Sequence, residues 1–281
     1  IIGVKNQPGP LTTAEVFINI VVCSNRLAAT YRRLIMSNSD IKKEAKKLGV
    51  NSLFSSPAAN PKVAKNLKIG VLTYPLHLSP ANESGFNVCQ FAGQCKNLCL
   101  HTAGNPAYLV AKIKARKART LLFFLHRKIF MDLLKIEING AIAKAKKLKM
   151  NLAFRLNATS DLPWEKIKIS DDETVVNYIT KCGATAYDYT KDPRRFTLDN
   201  ANYHLTFSLA ENNKTKALEL LDKNYNIAVV FNTKKNKPLP DYFLDRKVID
   251  GDLSDYRPND PAGIIVGLRA KGKAINSNSE F

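Results

Sequence analysis

Three of the chain's five cysteines, Cys89, Cys95 and Cys99, fall within Gly85-Phe-Asn-Val-Cys89-Gln-Phe-Ala-Gly-Gln-Cys95-Lys-Asn-Leu-Cys99-Leu-His101-Thr-Ala-Gly104. Thiols this close can ligate one metal ion or one cluster. Closed zinc sites use four protein ligands and catalytic ones keep a position open; His101 would complete a closed set here. Iron–sulfur clusters are also held by cysteine thiolates at short loop spacings, and three cysteines leave one iron free for a substrate or cofactor. A disulfide framework fits poorly, because three clustered thiols leave one unpaired and the expected cytosolic setting is reducing. The surrounding Gly, Gln, Asn and Lys describe a loop rather than a core that buries thiols as small hydrophobes. Buried free cysteine is the default for Cys23 and Cys182.

Other polar residues gather where apolar runs end. Phe154-Arg-Leu-Asn157 leads into Ser160, Asp161 and Trp164, although Ser160 or Asp161 could equally cap a helix. Ala186-Tyr-Asp188-Tyr-Thr-Lys191 sets an acid, hydroxyls and an amine at one strand end. In Tyr203-His204-Leu-Thr206-Phe-Ser208, alternation aims His204, Thr206 and Ser208 to one side, with a satisfied core histidine as the plainer reading of His204. Asp250-Gly-Asp252 reads first as a turn.

These residues need elements to hold them. A Lys-rich helical stretch over 37–49 leads into a loop of turn formers, and Leu76 to Ser79 is the predicted strand that delivers the chain to the cysteines. Helical periodicity covers 108–125 and 129–148, then 172–181 and 214–222. Short β-branched or aromatic runs at 152–157, 185–190, 203–209, 227–231, 248–252 and 264–268 read as strands. This alternation predicts an α/β fold with a largely parallel sheet, as a full or partial (β/α) barrel, with an open doubly wound sheet as the alternative. In a barrel, polar groups at strand carboxyl ends build the active site. The expected organisation is an irregular N-terminal extension over 1–54 and a barrel domain over 55–281. The chain opens on Ile, and residues before Met36 lack the coherence of the rest, so translation is expected to begin at or near Met36.

With 281 residues and 45% apolar content the chain can build a substantial core. Its 43 Lys and Arg against 24 Asp and Glu give a net charge of +19, which makes phosphate-rich partners plausible. Lys112, Lys114, Arg116, Lys117 and Arg119 concentrate that charge on one predicted helix and are the candidate nucleic-acid contacts, although a solvated basic face is the commoner outcome. No run approaches the roughly 20 apolar residues of a membrane span, and no G-x-G-x-x-G or Walker-type phosphate loop occurs.

Taken together, Leu78-Ser-Pro-Ala81, Asn87-Val-Cys89, Cys99-Leu-His-Thr-Ala-Gly104, Arg155-Leu-Asn157, Thr159-Ser-Asp161 with Trp164, and Tyr187-Asp-Tyr-Thr-Lys191 resemble the gene product 88 family of phage and plasmid proteins over roughly Ser55 to Lys273. The resemblance implies a phage or mobile-element context, hence bacterial cytoplasm. It also implies a cysteine triad similar to a variant radical S-adenosylmethionine site. By that likeness Cys89, Cys95 and Cys99 would hold a [4Fe–4S] cluster whose free iron chelates S-adenosylmethionine. Asp161, Asp188 and His204 would hold cofactor or substrate at the strand ends, and Lys191 would contact an anion. The cysteine spacing is wider than that superfamily's usual pattern, and Ser160-Asp161 stands where a Gly-Gly-Glu-like segment would bind the cofactor's amino group. The alternative from another class is a non-catalytic regulator of replication, stapled by zinc or a cluster and bound to nucleic acid.

Overall fold

The structure, a computed structural model of the chain, describes residues 36–99, 108–196 and 202–275. The segment upstream of Met36, with Cys23, lies outside the described residues, as does His101. The chain divides into a unit over Ile1–Ile41 and a second, Lys42–Phe281, that holds the sheet and the sites discussed below.

The strands are short and mostly buried along their length, the pattern of a parallel sheet covered on both faces. Their ladder runs β1 (Val71–Pro75), β2 (Asn151–Arg155), β5 (Thr185–Thr190), β6 (Tyr203–Ser208), β7 (Ile227–Phe231), β10 (Ile265–Arg269), β9 (Arg246–Asp250), β8 (Tyr242–Phe243). Every pairing is parallel except β8 with β9. A separate two-stranded ribbon joins β3 (Lys168–Ser170) to β4 (Glu173–Thr174). From β1 to β7 each strand of the main sheet lies beyond the last, so right-handed crossovers place their helices on one face.

Those helices follow the apolar periodicity. The Lys-rich α1 (Asn38–Lys47) precedes β1, and between β1 and β2 come α2 (Cys95–Leu98), α3 (Leu109–Leu125) and α4 (Arg127–Leu148), the last burying Phe130, Leu134, Ile138, Ala141 and Ala145. Trp164 is fully buried between the rings of Phe123 and Phe130. Thr174 caps α5 (Val175–Lys181) by accepting the Asn177 N–H at 3.2 Å. Ala217, Leu220 and Leu221 of α6 (Lys214–Asp222) pack on Phe207, Ile227, Val229 and Ile265. The opposite face carries Val71, Ala153, Tyr187, Ala228 and Val266, with Tyr256 and Ile264 against it.

The full barrel is not formed. Closure requires the end strands to pair, and the ladder instead terminates in β1 on one side and the two-residue antiparallel β8 on the other. The strand read at Leu76 to Ser79 lies earlier, at Val71–Pro75. Residues 76–79 leave the sheet, with only an isolated bridge between Phe54 and Leu76. The apolar Leu76 and Leu78 that suggested a strand are buried in this exit segment, where Leu76 N–H still donates to the Arg155 carbonyl at 2.9 Å.

Candidate thiol site at the carboxyl end of the sheet

Beyond β1 the chain enters a loop held from three sides. Val88, fully buried, donates its N–H to the Ala81 carbonyl at 2.9 Å and accepts from the Asp161 N–H at 2.8 Å. Asn87 Oδ1 accepts the Cys89 N–H at 2.9 Å. Gly93 takes a left-handed φ of +49°, and Glu211 Oε1, from the loop after β6, accepts the next N–H, that of Gln94, at 2.8 Å. A Cβ on Gly93 would stand 2.1 Å from the same oxygen, so only glycine admits the carboxylate here. The loop then turns into α2, which begins at Cys95 and ends before Cys99.

Cys89, Cys95 and Cys99 are therefore half-buried thiols, none of them in a disulfide, on one clamped loop. Burial pushes the Cys89 thiol up to about 12; the nearby Asp161, Cys99 and Cys95 add to this and the Ala81 backbone opposes it. Burial also raises Cys95, with Lys191 working against the shift and Glu211 and Asp161 with it. Lys191 is lowered by its own burial, although Cys95, Asp161, Glu211 and Cys89 favour its charge. The three sulfurs, Lys191, Asp161 and Glu211 thus form one electrostatic neighbourhood. Among the described residues no three His, Cys, Asp or Glu side chains already stand as a ligand group. The donor set nonetheless suits a thiophilic metal or an iron–sulfur cluster, because binding lowers thiol pKa values and Lys191 offsets the negative charge that results.

The sequence-selected acids hold the loops together. Asp161 Oδ2 accepts the Lys191 N–H at 2.9 Å and Oδ1 accepts Arg195 Nη1 at 2.9 Å. Arg195, 2% exposed, also donates from Nε and Nη2 to Glu165 at 2.9 Å each. Burial raises Asp161 against the pull of Arg195. Asp188 is fully buried and accepts the N–H groups of Leu156 (3.0 Å) and Asn157 (2.9 Å) and the Tyr203 hydroxyl. Burial lifts it to about 7, opposed by Arg155, Tyr203 and the Asn157 N–H. Ser160 Oγ donates to Asn157 Oδ1, which also accepts from Leu162 N–H and Trp164 Nε1. His204 stands elsewhere, on the β6 face away from the crossover helices, and is lowered by burial and by Arg257.

The basic helix divides. Lys112, Lys114 and Lys117 are exposed, whereas Arg119 Nε donates to the Ser52 carbonyl at 2.8 Å and Arg116 stands within electrostatic reach of Cys99 and Glu83. Sequence reasoning missed the buried ion network below the loop. Arg155 Nη1 donates to both Asp255 oxygens at 3.0 and 3.1 Å, Lys62 Nζ lies 3.1 Å from the same carboxylate, and Tyr187 donates to it at 3.1 Å. Arg155 is visible in its motif, but Lys62 and Asp255 come from distant loops without local signature. Arg195 was hidden in an ordinary Pro-Arg-Arg turn.

A singly wound, mostly parallel α/β sheet with a clamped cysteine loop past its first strand defines the class of protein. The chain belongs to the gene product 88 family, whose model matches residues 35–280. No curated protein and no solved structure matches the chain. Among the described residues no helix is long and apolar enough to cross a membrane.

Proposed function

We propose that this protein is an iron–sulfur protein of radical S-adenosylmethionine type, with a [4Fe–4S] cluster held by Cys89, Cys95 and Cys99 at the open end of a partial (β/α) barrel. The observation that carries the reading is the electrostatic grouping of the three thiols with Lys191 on a loop gripped from the β2 and β6 ends. When bound, such a cluster supplies one-electron reducing power to a sulfonium cofactor at its free iron. Lys191 and Arg116 offset the charge of the thiolates. Asp161 sets the height of the loop through Val88, and Glu211 sets the direction of α2. Asp188, on the sheet face that carries the crossover helices, is the remaining candidate substrate contact, whereas His204 stands on the opposite face. The exposed Lys112, Lys114 and Lys117 favour a nucleic acid or nucleotide substrate in a phage-infected bacterial cytoplasm.

The test is anaerobic purification of wild type and Cys95→Ala with iron, sulfide and zinc quantification and EPR of the reduced protein. About four iron and four sulfide per chain, lost in Cys95→Ala, with a signal altered by S-adenosylmethionine, is the expected result. One zinc without sulfide, and unfolding on chelation, would replace this reading with a metal-stapled binding protein.

A further inference from the structure

Eight buried side-chain polar atoms lack a hydrogen-bond partner among the described residues. Seven of them belong to one contiguous group on the sheet face away from the crossover helices: Arg155 Nε, Tyr189 Oη, His204 Nε2, Thr206 Oγ1, Arg257 Nε and Nη1, and Asp260 Oδ2. Strand pairing explains the grouping. Tyr189 of β5 is the register partner of Thr206 of β6, and His204 lies two residues earlier on the same face. The Arg155 guanidinium sits 4.8 Å from the centre of the Tyr189 ring. Arg257, 1% exposed, approaches from the segment that covers this face and lies within electrostatic reach of His204.

Outside the Arg257–Asp260 ion pair, the other five atoms have no ready alternative. The carboxylate nearest Arg155 Nε, Asp188 Oδ1, is 3.9 Å away and already accepts the Asn157 N–H. Arg257 Nη1 and Asp260 Oδ2 are 3.0 Å apart, close enough to attract but not aligned to hydrogen-bond. Thr206 is fully buried. Folded proteins leave such groups singly and seldom, so a patch of them calls for a partner. The inventory identifies its chemistry: Asp260 Oδ2, the one obligate acceptor when ionised, faces Arg257 Nη1, and what remains is two guanidinium N–H groups that only donate, two hydroxyls that can donate, and His204 Nε2, which donates or accepts according to its tautomer. Buried water satisfies donors and acceptors evenly, whereas a surplus of donors from two arginines matches a group that only accepts.

We propose that this inner face binds a small ligand through its carboxylate or phosphate oxygens, with Arg155, Tyr189, Thr206 and Arg257 as the donors. The site uses none of the cysteines and stands whether or not they hold a cluster.

The experiment is thermal unfolding of wild type, Tyr189→Phe and Thr206→Val in rising inorganic phosphate or malonate, with ionic strength held constant by KCl. Without either anion the two variants should unfold at or above the wild-type temperature, because each has lost a hydroxyl without a partner. In wild type, phosphate or malonate should raise the midpoint as a ligand of the native state does, and each variant should need about tenfold more of it, the equivalent of one lost hydrogen bond. A response to phosphate alone assigns a phosphate ligand, and one to malonate alone a carboxylate. The proposal is overturned if neither anion shifts wild type, or if the variants respond as wild type does, which would place the anions on the basic surface. Destabilised variants in plain KCl would also overturn it, because the hydroxyls would then already be satisfied by water.

Discussion

Replacing Arg195 with Met tests whether the clamp on the cysteine loop is electrostatic. The side chain is 2% exposed and holds two carboxylates, Asp161 at 12% and Glu165 at 7% exposure, through three hydrogen bonds of 2.9 Å. Met fills similar volume but leaves both acids buried without their cation. Breaking a buried pair in this way costs about 3–5 kcal/mol, which for a domain of this size lowers the unfolding midpoint by roughly 6–20 °C. The sign with pH follows from Asp161. Burial already raises its pKa above the ordinary carboxylate value even with Arg195 present, and removal of the guanidinium raises it further. A raised acid contributes stability below its unfolded pKa, near 4, and loses it as pH rises through the folded value. The deficit of the variant should therefore be deepest at pH 8 and shrink toward about pH 5. Because the Asp161 N–H holds the Val88 carbonyl, the variant should also lose the metal proposed for the cysteines before it unfolds. Scanning calorimetry at both pH values, with metal analysis of the same samples, reads all three. A midpoint drop under about 2 °C, or one of equal size at both pH values, would refute the electrostatic clamp.

Three further outcomes follow from the same geometry. Asp188→Asn turns an amide donor toward one of the two backbone N–H groups the carboxylate accepts and should cost about 1–3 kcal/mol; in urea titrations it should also flatten the wild-type loss of stability as pH rises through about 7. Gly93→Ala forces Glu211 off the Gln94 N–H, so affinity for the metal proposed at the cysteines should fall about 10–100-fold, as for residues that orient metal ligands, while circular dichroism stays native. Lys112→Gln, Lys114→Gln and Lys117→Gln together should lower the salt slope of nucleic-acid binding by up to about 3 in a filter-binding series; an unchanged slope would move the contact elsewhere.

Much of the architecture was legible because it rests on local pattern. The strands at 185–190 and 227–231 and the helix at 214–222 follow apolar runs bounded by turn formers, and the structure places β5, β7 and α6 on those residues. The strand before the cysteines was misplaced because Leu76 and Leu78 are as buried as Leu72, and burial alone does not reveal which segment finds a ladder partner. Barrel closure was illegible for a related reason: it depends on what the last strand meets, and β8 is too short to announce itself. At the candidate site the cysteines could be read from spacing. Glu211, Arg195 and the Lys62–Asp255 pair reach their partners across long sequence separations, so no periodicity encodes them.

The sheet's strand order also carries a consequence for biosynthesis. β10, the last strand in chain order among the described residues, is not at the margin but wedged between β7 and β9. Until Ile265–Arg269 has emerged, the β8–β9 hairpin has no neighbour to dock on and β7 presents an open parallel edge. A nascent or truncated chain ending before β10 would therefore lose more than its tail. It would expose that edge to pairing with other chains, and aggregation of such truncations should be arrested by supplying the missing strand as a peptide.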